Sequence, residues 1–225
     1  MKSKKGLLTQ AISKLVVSIL MLSALVFISA GTMWFWNGWL FVGTFGIALF
    51  SFGAYLYIYN IELLQKRLVG RENEKAQEAY NFLSGLALLS VFVLSGLDYR
   101  FGWSDIGWIV VFFALFVMLA GYSISIIAMV QNEFASRIIE VQKEQRVIDT
   151  GIYSIVRHPM YISSLIMFTA TPVVLGSFYG IIPMVLYLAG IILRIRNEEH
   201  VLRIGLPGYE EYMDKVKYRL IPFVW

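Results

Sequence analysis

The sequence predicts an all-α fold: a polytopic integral membrane protein of about six transmembrane helices, including a C-terminal helical hairpin, followed by a cytoplasmic amphipathic helix. Three observations carry this. The 225 residues are 58% hydrophobic and only 15% charged, whereas soluble domains carry about 25% charged residues. Apolar tracts of the roughly 20 residues that a bilayer core demands recur along the chain. With six spans, all of the 19 lysines and arginines except Arg100 fall on one side of the membrane, which the positive-inside rule makes the cytoplasm. Both termini then lie in the cytoplasm.

The first span is expected at residues 15–33, preceded by Lys2, Lys4, Lys5 and Lys14. A basic start before an apolar run can mark a cleaved signal peptide. Here the run is long, and Ile28 spoils the small-residue pattern before Ala30, so the segment reads as a retained helix. The second span, 36–59, opens on Trp34, Trp36 and Trp39, an aromatic belt of the kind found at a membrane interface. A charged stretch separates it from the third span at 80–97. A short polar turn, DYRFGWSD, leads to the fourth at 106–130.

An apolar tract at 162–193 follows, too long for one crossing. Gly176, Ser177 and Gly180 lie near its middle, flanked by Pro172 and Pro183. Turn formers at that place predict two short helices joined by a tight turn. A five-span alternative, with one long tilted helix, would put Arg157 and Arg194 on opposite faces and break the charge bias. The chain reads as a single membrane domain, 1–225. Residues 1–130 supply the N-terminal spans, and 131–225 form the part that carries chemistry.

Several functions are excluded or weakened by composition. There is no cysteine, so disulfides and thiolate metal sites are ruled out. The two histidines, His158 and His200, form no metal-binding spacing. The net charge of +4 is explained by basic cytoplasmic loops, so nucleic acid is not an expected partner. No glycine-rich phosphate loop is present.

Polar residues concentrate in two blocks, 135–161 and 193–225, which the hairpin returns to the same cytoplasmic mouth. The first ends in VRHPMY. Pro159 disfavours helix at His158 and presents that imidazole on a turn, where it can meet a ligand or a local carbonyl. Tyr161 reads as a ligand contact or a belt residue, and Arg157 as a basic anchor at the interface. In the second block Arg194 and Glu198 are four residues apart and share a helix face. Glu199 points about 100° away, and Arg203 is its expected partner. Gly205, Pro207 and Gly208 break the chain before an amphipathic helix whose Glu210, Glu211, Asp214, Lys215 and Lys217 form a solvated face. The closing IPFVW reads as an interfacial stretch.

The run GIYSIVRHPMY, then a hairpin, then R-x-x-x-EE-x-x-L, a glycine, Y-x-x-Y and R-L-I-P, resembles the isoprenylcysteine carboxyl methyltransferase family. Related phospholipid methyltransferases share parts of the pattern. The resemblance covers roughly residues 130–225 and implies a membrane methyltransferase that uses S-adenosylmethionine. By position it implies that His158, Pro159, Met160 and Tyr161 contact the cofactor, with Tyr153 just upstream. Gln145, Arg146, Val147 and Ile148 would line its adenosine side, and Glu140 falls at a further cofactor position. Glu198 would hold the methionine part, and Arg194 would face the methyl acceptor. Both are carried over as catalytic residues.

Two departures bear on the substrate: Ser163 stands where many members have glycine, and LPGY replaces the commoner Phe-Gly-x-x-Tyr spacing. The expected acceptor is an isoprenylcysteine-type carboxylate, a prenylated or lipid substrate reaching the site from the bilayer. A phospholipid amine, an NADPH-dependent sterol-type reductase and a non-catalytic membrane partner are the alternatives. The EE-x-x-L block argues against the reductase, and intact Arg194, Glu198 and His158 argue against loss of activity.

Overall fold

A computed structural model describes residues 4–68, 78–135 and 139–225. The basic residues Lys2, Arg71, Lys75 and Arg137, counted above for topology, lie outside the described residues. The order of elements is α1 Lys4–Ala30, α2 Trp36–Tyr59, α3 Ile61–Leu68, α4 Glu78–Phe101, α5 Trp108–Gln131, α6 Pro159–Val174, α7 Met184–Gly205 and α8 Tyr209–Lys215. Single 3-10 turns fall at Gly151–Ser154 and Tyr179–Ile181. No strand occurs among the described residues, as the all-α prediction requires.

Among the described residues, five helical segments are long and apolar enough to cross a membrane: α1, α2, α4, α5 and the stretch Tyr179–Gly205. Their outer faces keep large apolar side chains exposed, among them Leu20, Phe50, Phe113 and Phe116. A helix that is apolar all round belongs in lipid. α1 starts eleven residues before the expected 15, so Lys14 lies inside it. There the Lys14 Nζ donates to the Leu68 carbonyl at the end of α3 (2.6 Å), satisfying an acceptor that a helix C-terminus leaves open.

The sixth expected crossing, α6, has 16 residues and is shorter than the other five. It packs closely along α5. The interface is intimate because Gly121 carries no side chain: a Cβ there would come within 3.0 Å of the Ser163 carbonyl and the Met167 amide. Small residues at such seams let membrane helices approach. Ser163 is fully buried and turns its hydroxyl back onto the Met160 carbonyl (2.8 Å).

The α6–α7 hairpin forms where the turn residues predict it. Gly176 adopts φ +76°, the left-handed conformation that glycine takes at least cost. The turn is pinned to the α4–α5 connection by a buried carboxylate. Asp98 accepts hydrogen bonds from Ser177 Oγ (2.5 Å), Ser104 N (2.6 Å) and Ser104 Oγ (2.7 Å). A buried polar group is tolerated when hydrogen-bonded in this way. Asn37 donates to the Val174 carbonyl from α2 (2.9 Å). The hairpin is therefore anchored at the end remote from VRHPMY, and its two arms return the polar blocks to one place.

Candidate functional site

The site begins with the local chain at His158. Pro159 opens α6 and His158 is its N-cap, as the His-Pro pair predicts. The amides of Arg157 and His158 donate to the carbonyls of Tyr218 (2.9 Å) and Arg219 (3.0 Å). The C-terminal segment thus lies alongside the VRHPMY turn and holds its backbone.

Beneath the turn is a buried ionic cluster centred on Glu199. Its Oε1 accepts from Arg157 Nε (2.8 Å) and lies 3.3 Å from His158 Nε2, while its Oε2 accepts from Arg219 Nε (2.8 Å). Arg157 Nη1 also donates to the carbonyls of Val216 (2.6 Å) and Lys217 (3.0 Å). Two expectations are corrected here. Arg157 is no exposed anchor: it is 6% accessible and fully engaged. Glu199 does not pair with Arg203, which bonds Glu210 instead. Helix periodicity places Glu199 on the inward face of α7, where distant partners outcompete a neighbour four residues along.

This cluster fixes the histidine tautomer. A carboxylate only accepts hydrogen bonds, so Nε2 of His158 carries a proton toward Glu199. Nδ1 is then the ring atom left for another group when the imidazole is neutral.

About 100° around α7 from Glu199, Arg194 and Glu198 do share a side, but Tyr161 stands between them. Arg194 Nε donates to Tyr161 Oη (2.8 Å), and Tyr161 Oη donates to Glu198. The Arg194 guanidinium also lies 4.6 Å from the Tyr80 ring centroid, a cation–π contact. The arginine is therefore oriented by two aromatic residues from different helices.

A cavity of about 670 Å³ opens beside these groups, within the range of small-molecule sites. Every residue carried over from the resemblance lines it: Glu140, Gln145, Arg146, Val147, Ile148, Tyr153, His158, Pro159, Met160, Tyr161, Arg194 and Glu198. Gln145 to Ile148 form an irregular segment on one wall. Arg146 is exposed and pairs with Glu133 (3.2 Å). Tyr153 is buried, donates to the Ala128 carbonyl (3.3 Å), and is pushed up to about 12 by that burial. Burial likewise raises Tyr209 and Tyr212 above the ordinary phenol value, with neighbouring phenol and carboxylate charges adding to it. These three line the cavity as neutral phenols.

Sequence reasoning missed the walls from the first half of the chain. Arg67 of α3 and Tyr80, Asn81 and Ser84 of α4 all line the cavity. Arg67 Nη2 lies 3.6 Å from Met160 Sδ. Nothing in the local sequence marks these residues, since each reads as an ordinary helix-end or interfacial residue.

Residues 109–204 match the family model for phospholipid methyltransferase. The chain resembles that family. The matched stretch runs from α5 through α7 and includes the VRHPMY turn, Arg194, Glu198 and Glu199. A search of curated proteins returns no match. The phospholipid methyltransferase match indicates a membrane methyltransferase acting on a lipid-type substrate. The family depends on S-adenosylmethionine in general.

The cavity's chemistry suits that cofactor. It offers Glu140 and Glu198 as carboxylates, aromatic faces from Tyr153, Tyr161, Tyr209 and Tyr212, and apolar surface from Val147, Ile148, Leu202 and Leu206. Carboxylates and aromatic faces stabilise an amine and a sulfonium, and the apolar wall suits an adenine ring.

Proposed function

We propose that the protein transfers a methyl group from S-adenosylmethionine to the polar head of a membrane amphiphile, with an isoprenylcysteine-type carboxylate as the leading acceptor. The observation that carries this is the cavity where the two polar blocks meet, with Arg194 held by Tyr161 and Tyr80 at its wall. The cofactor, when bound, supplies an electrophilic methyl group for direct displacement. The protein's part is then mainly positioning, which is worth several orders of magnitude in rate.

In this reading His158, Pro159, Met160, Tyr161, Tyr153, Glu140 and the 145–148 segment contact the cofactor. Glu198 holds its amine. Arg194 orients the acceptor carboxylate through paired hydrogen bonds. That carboxylate is already a nucleophile at neutral pH, so no base is needed. The cavity lies at the end of the molecule where the lysines and arginines gather, which supports a site facing the cytoplasm, with both termini on that side.

A second reading is N-methylation of a phospholipid amine. It is favoured by the family matched at residues 109–204 and by Glu198, a carboxylate in the cavity able to take the amine's proton. One experiment separates the two. Purified protein in detergent is given labelled S-adenosylmethionine with either N-acetyl-S-farnesylcysteine or phosphatidylethanolamine. Label released as methanol by mild alkali supports the ester product. Label that stays non-volatile after alkali, on the phospholipid's amine head group, supports the amine. No cofactor binding and no transfer to either acceptor overturns the methyltransferase reading. Cofactor binding that survives His158→Ala combined with Glu198→Ala removes the assignment of this pocket.

A further inference from the structure

Serines in apolar helices usually turn their hydroxyl onto a carbonyl one turn back. Ser29, Ser123, Ser163 and Ser164 all do so in this protein. Ser84 on α4 does not. It is 7% accessible, and its Oγ has no hydrogen-bond partner among the described residues. A buried hydroxyl left without a partner is unfavourable. Ser95 shares that property, but Ser95 is sealed against the hairpin turn, whereas Ser84 lines the cavity.

Its position relative to the site is defined by the antiparallel packing of α4 on α7. Tyr80 meets Arg194, and one turn further along each helix Ser84 meets Gly190. A Cβ at Gly190 would come within 3.2 Å of Ser84 Oγ, so glycine is what lets α7 pack this closely beside the hydroxyl without crowding it. Ser84 therefore sits roughly 5 Å, one helical pitch, deeper along the apolar layer than the Arg194 guanidinium. α4 also lies outside the matched stretch at 109–204, so nothing in the family match accounts for this wall.

We propose that Ser84 is a specificity-determining residue for the methyl acceptor, donating a hydrogen bond to an uncharged carbonyl oxygen near the acceptor's head group. The inference rests on the methyltransferase reading above. It specifies an amphiphile with its reacting head at Arg194 and an amide or ester carbonyl about one helical turn toward its tail. A prenylated amino acid with an acylated amine and a diacyl phospholipid both satisfy this. A simple prenyl acid or a dialkyl ether lipid does not.

The test uses two matched pairs of acceptors: N-acetyl-S-farnesylcysteine against its analogue lacking the acetamide, and diacyl against dialkyl phosphatidylethanolamine. Wild type, Ser84→Ala and Ser84→Cys are compared, the last keeping the packing with a weak donor. For the pair that is methylated, the wild type is expected to show a KM roughly five- to tenfold lower for the carbonyl-bearing member, the value of one hydrogen bond. Both variants raise that KM to the level of the analogue. Their KM for the analogue and their S-adenosylmethionine affinity stay unchanged, and the melting temperature of Ser84→Ala does not fall, since the hydroxyl it removes has no partner in the free protein. A wild type that does not distinguish the members of the pair, or a Ser84→Ala protein that keeps its preference, overturns the subsite while leaving methyl transfer intact. A wild type that neither binds the cofactor nor methylates any of the four overturns the methyltransferase reading and this inference with it.

Discussion

The residue that most changes its meaning in three dimensions is Glu199. In sequence it is the second half of an acidic pair on a helix. In the fold it is the common acceptor for Arg157, His158 and Arg219, buried beneath the VRHPMY turn. Removing one member of a buried ionic cluster leaves the others uncompensated. Glu199→Ala is therefore expected to destabilise the protein by about 3–5 kcal/mol, seen as a large drop in melting temperature in detergent. An unchanged melting temperature would show that the cluster is not structural. Tyr161→Phe is a gentler probe. It keeps the ring and removes the hydroxyl that joins Arg194 to Glu198. Hydrogen bonds to charged groups contribute about 1.5–3 kcal/mol, so kcat/KM should fall roughly ten- to hundredfold with little change in stability. Tyr153 supplies a pH dependence. Its phenol titrates at about 12 when folded and near 10 when unfolded. The unfolded chain therefore loses this proton first, and the Tyr153 contribution to stability is intact below pH 10 and falls away between pH 10 and 12. In Tyr153→Phe, the loss of stability over that window should be smaller, as followed by denaturant titration.

At the scale of elements, the Gly121 contact between α5 and α6 and the hairpin turn position the site from outside the cavity lining. α6 is short, and its placement depends on close backbone contact at Gly121. Gly121→Val forces the two helices apart and should cost about 1–3 kcal/mol through overpacking. Because His158 caps α6, the displacement should also weaken cofactor binding, measurable by calorimetry. A variant that loses stability but retains full affinity would mean that the turn is held from the C-terminal side alone. The hairpin was legible because glycine, serine and proline cluster in the middle of an apolar tract. The short α3 was not, because a charged eight-residue segment beside an apolar span reads as loop. Only its burial of Leu63 and Leu64 against Leu7 and Leu56 makes it an element, and that packing brings Arg67 to the cavity.

Across the whole molecule, the chain splits by role rather than by length. α5 to α7 make up the matched stretch, and α3 and α4 close the cavity from outside it. The C-terminal segment completes it by lending backbone carbonyls to Arg157 and to the amides of Arg157 and His158. A protein ending at residue 216 is expected to bind S-adenosylmethionine at least tenfold more weakly, since several buried donors lose their acceptors at once. Equal affinity in the shortened and full chains would contradict this. The crossings, the hairpin and the convergence of the two polar blocks could all be read from the chain. Each follows from local hydropathy, turn chemistry or charge bias, properties of neighbouring residues. The burial of Arg157 and Glu199, the place of Tyr161 between Arg194 and Glu198, and the position of Ser84 in the cavity wall were decided only by tertiary packing. Those partners lie tens of residues apart, and one helical face looks like another until its neighbour is in place.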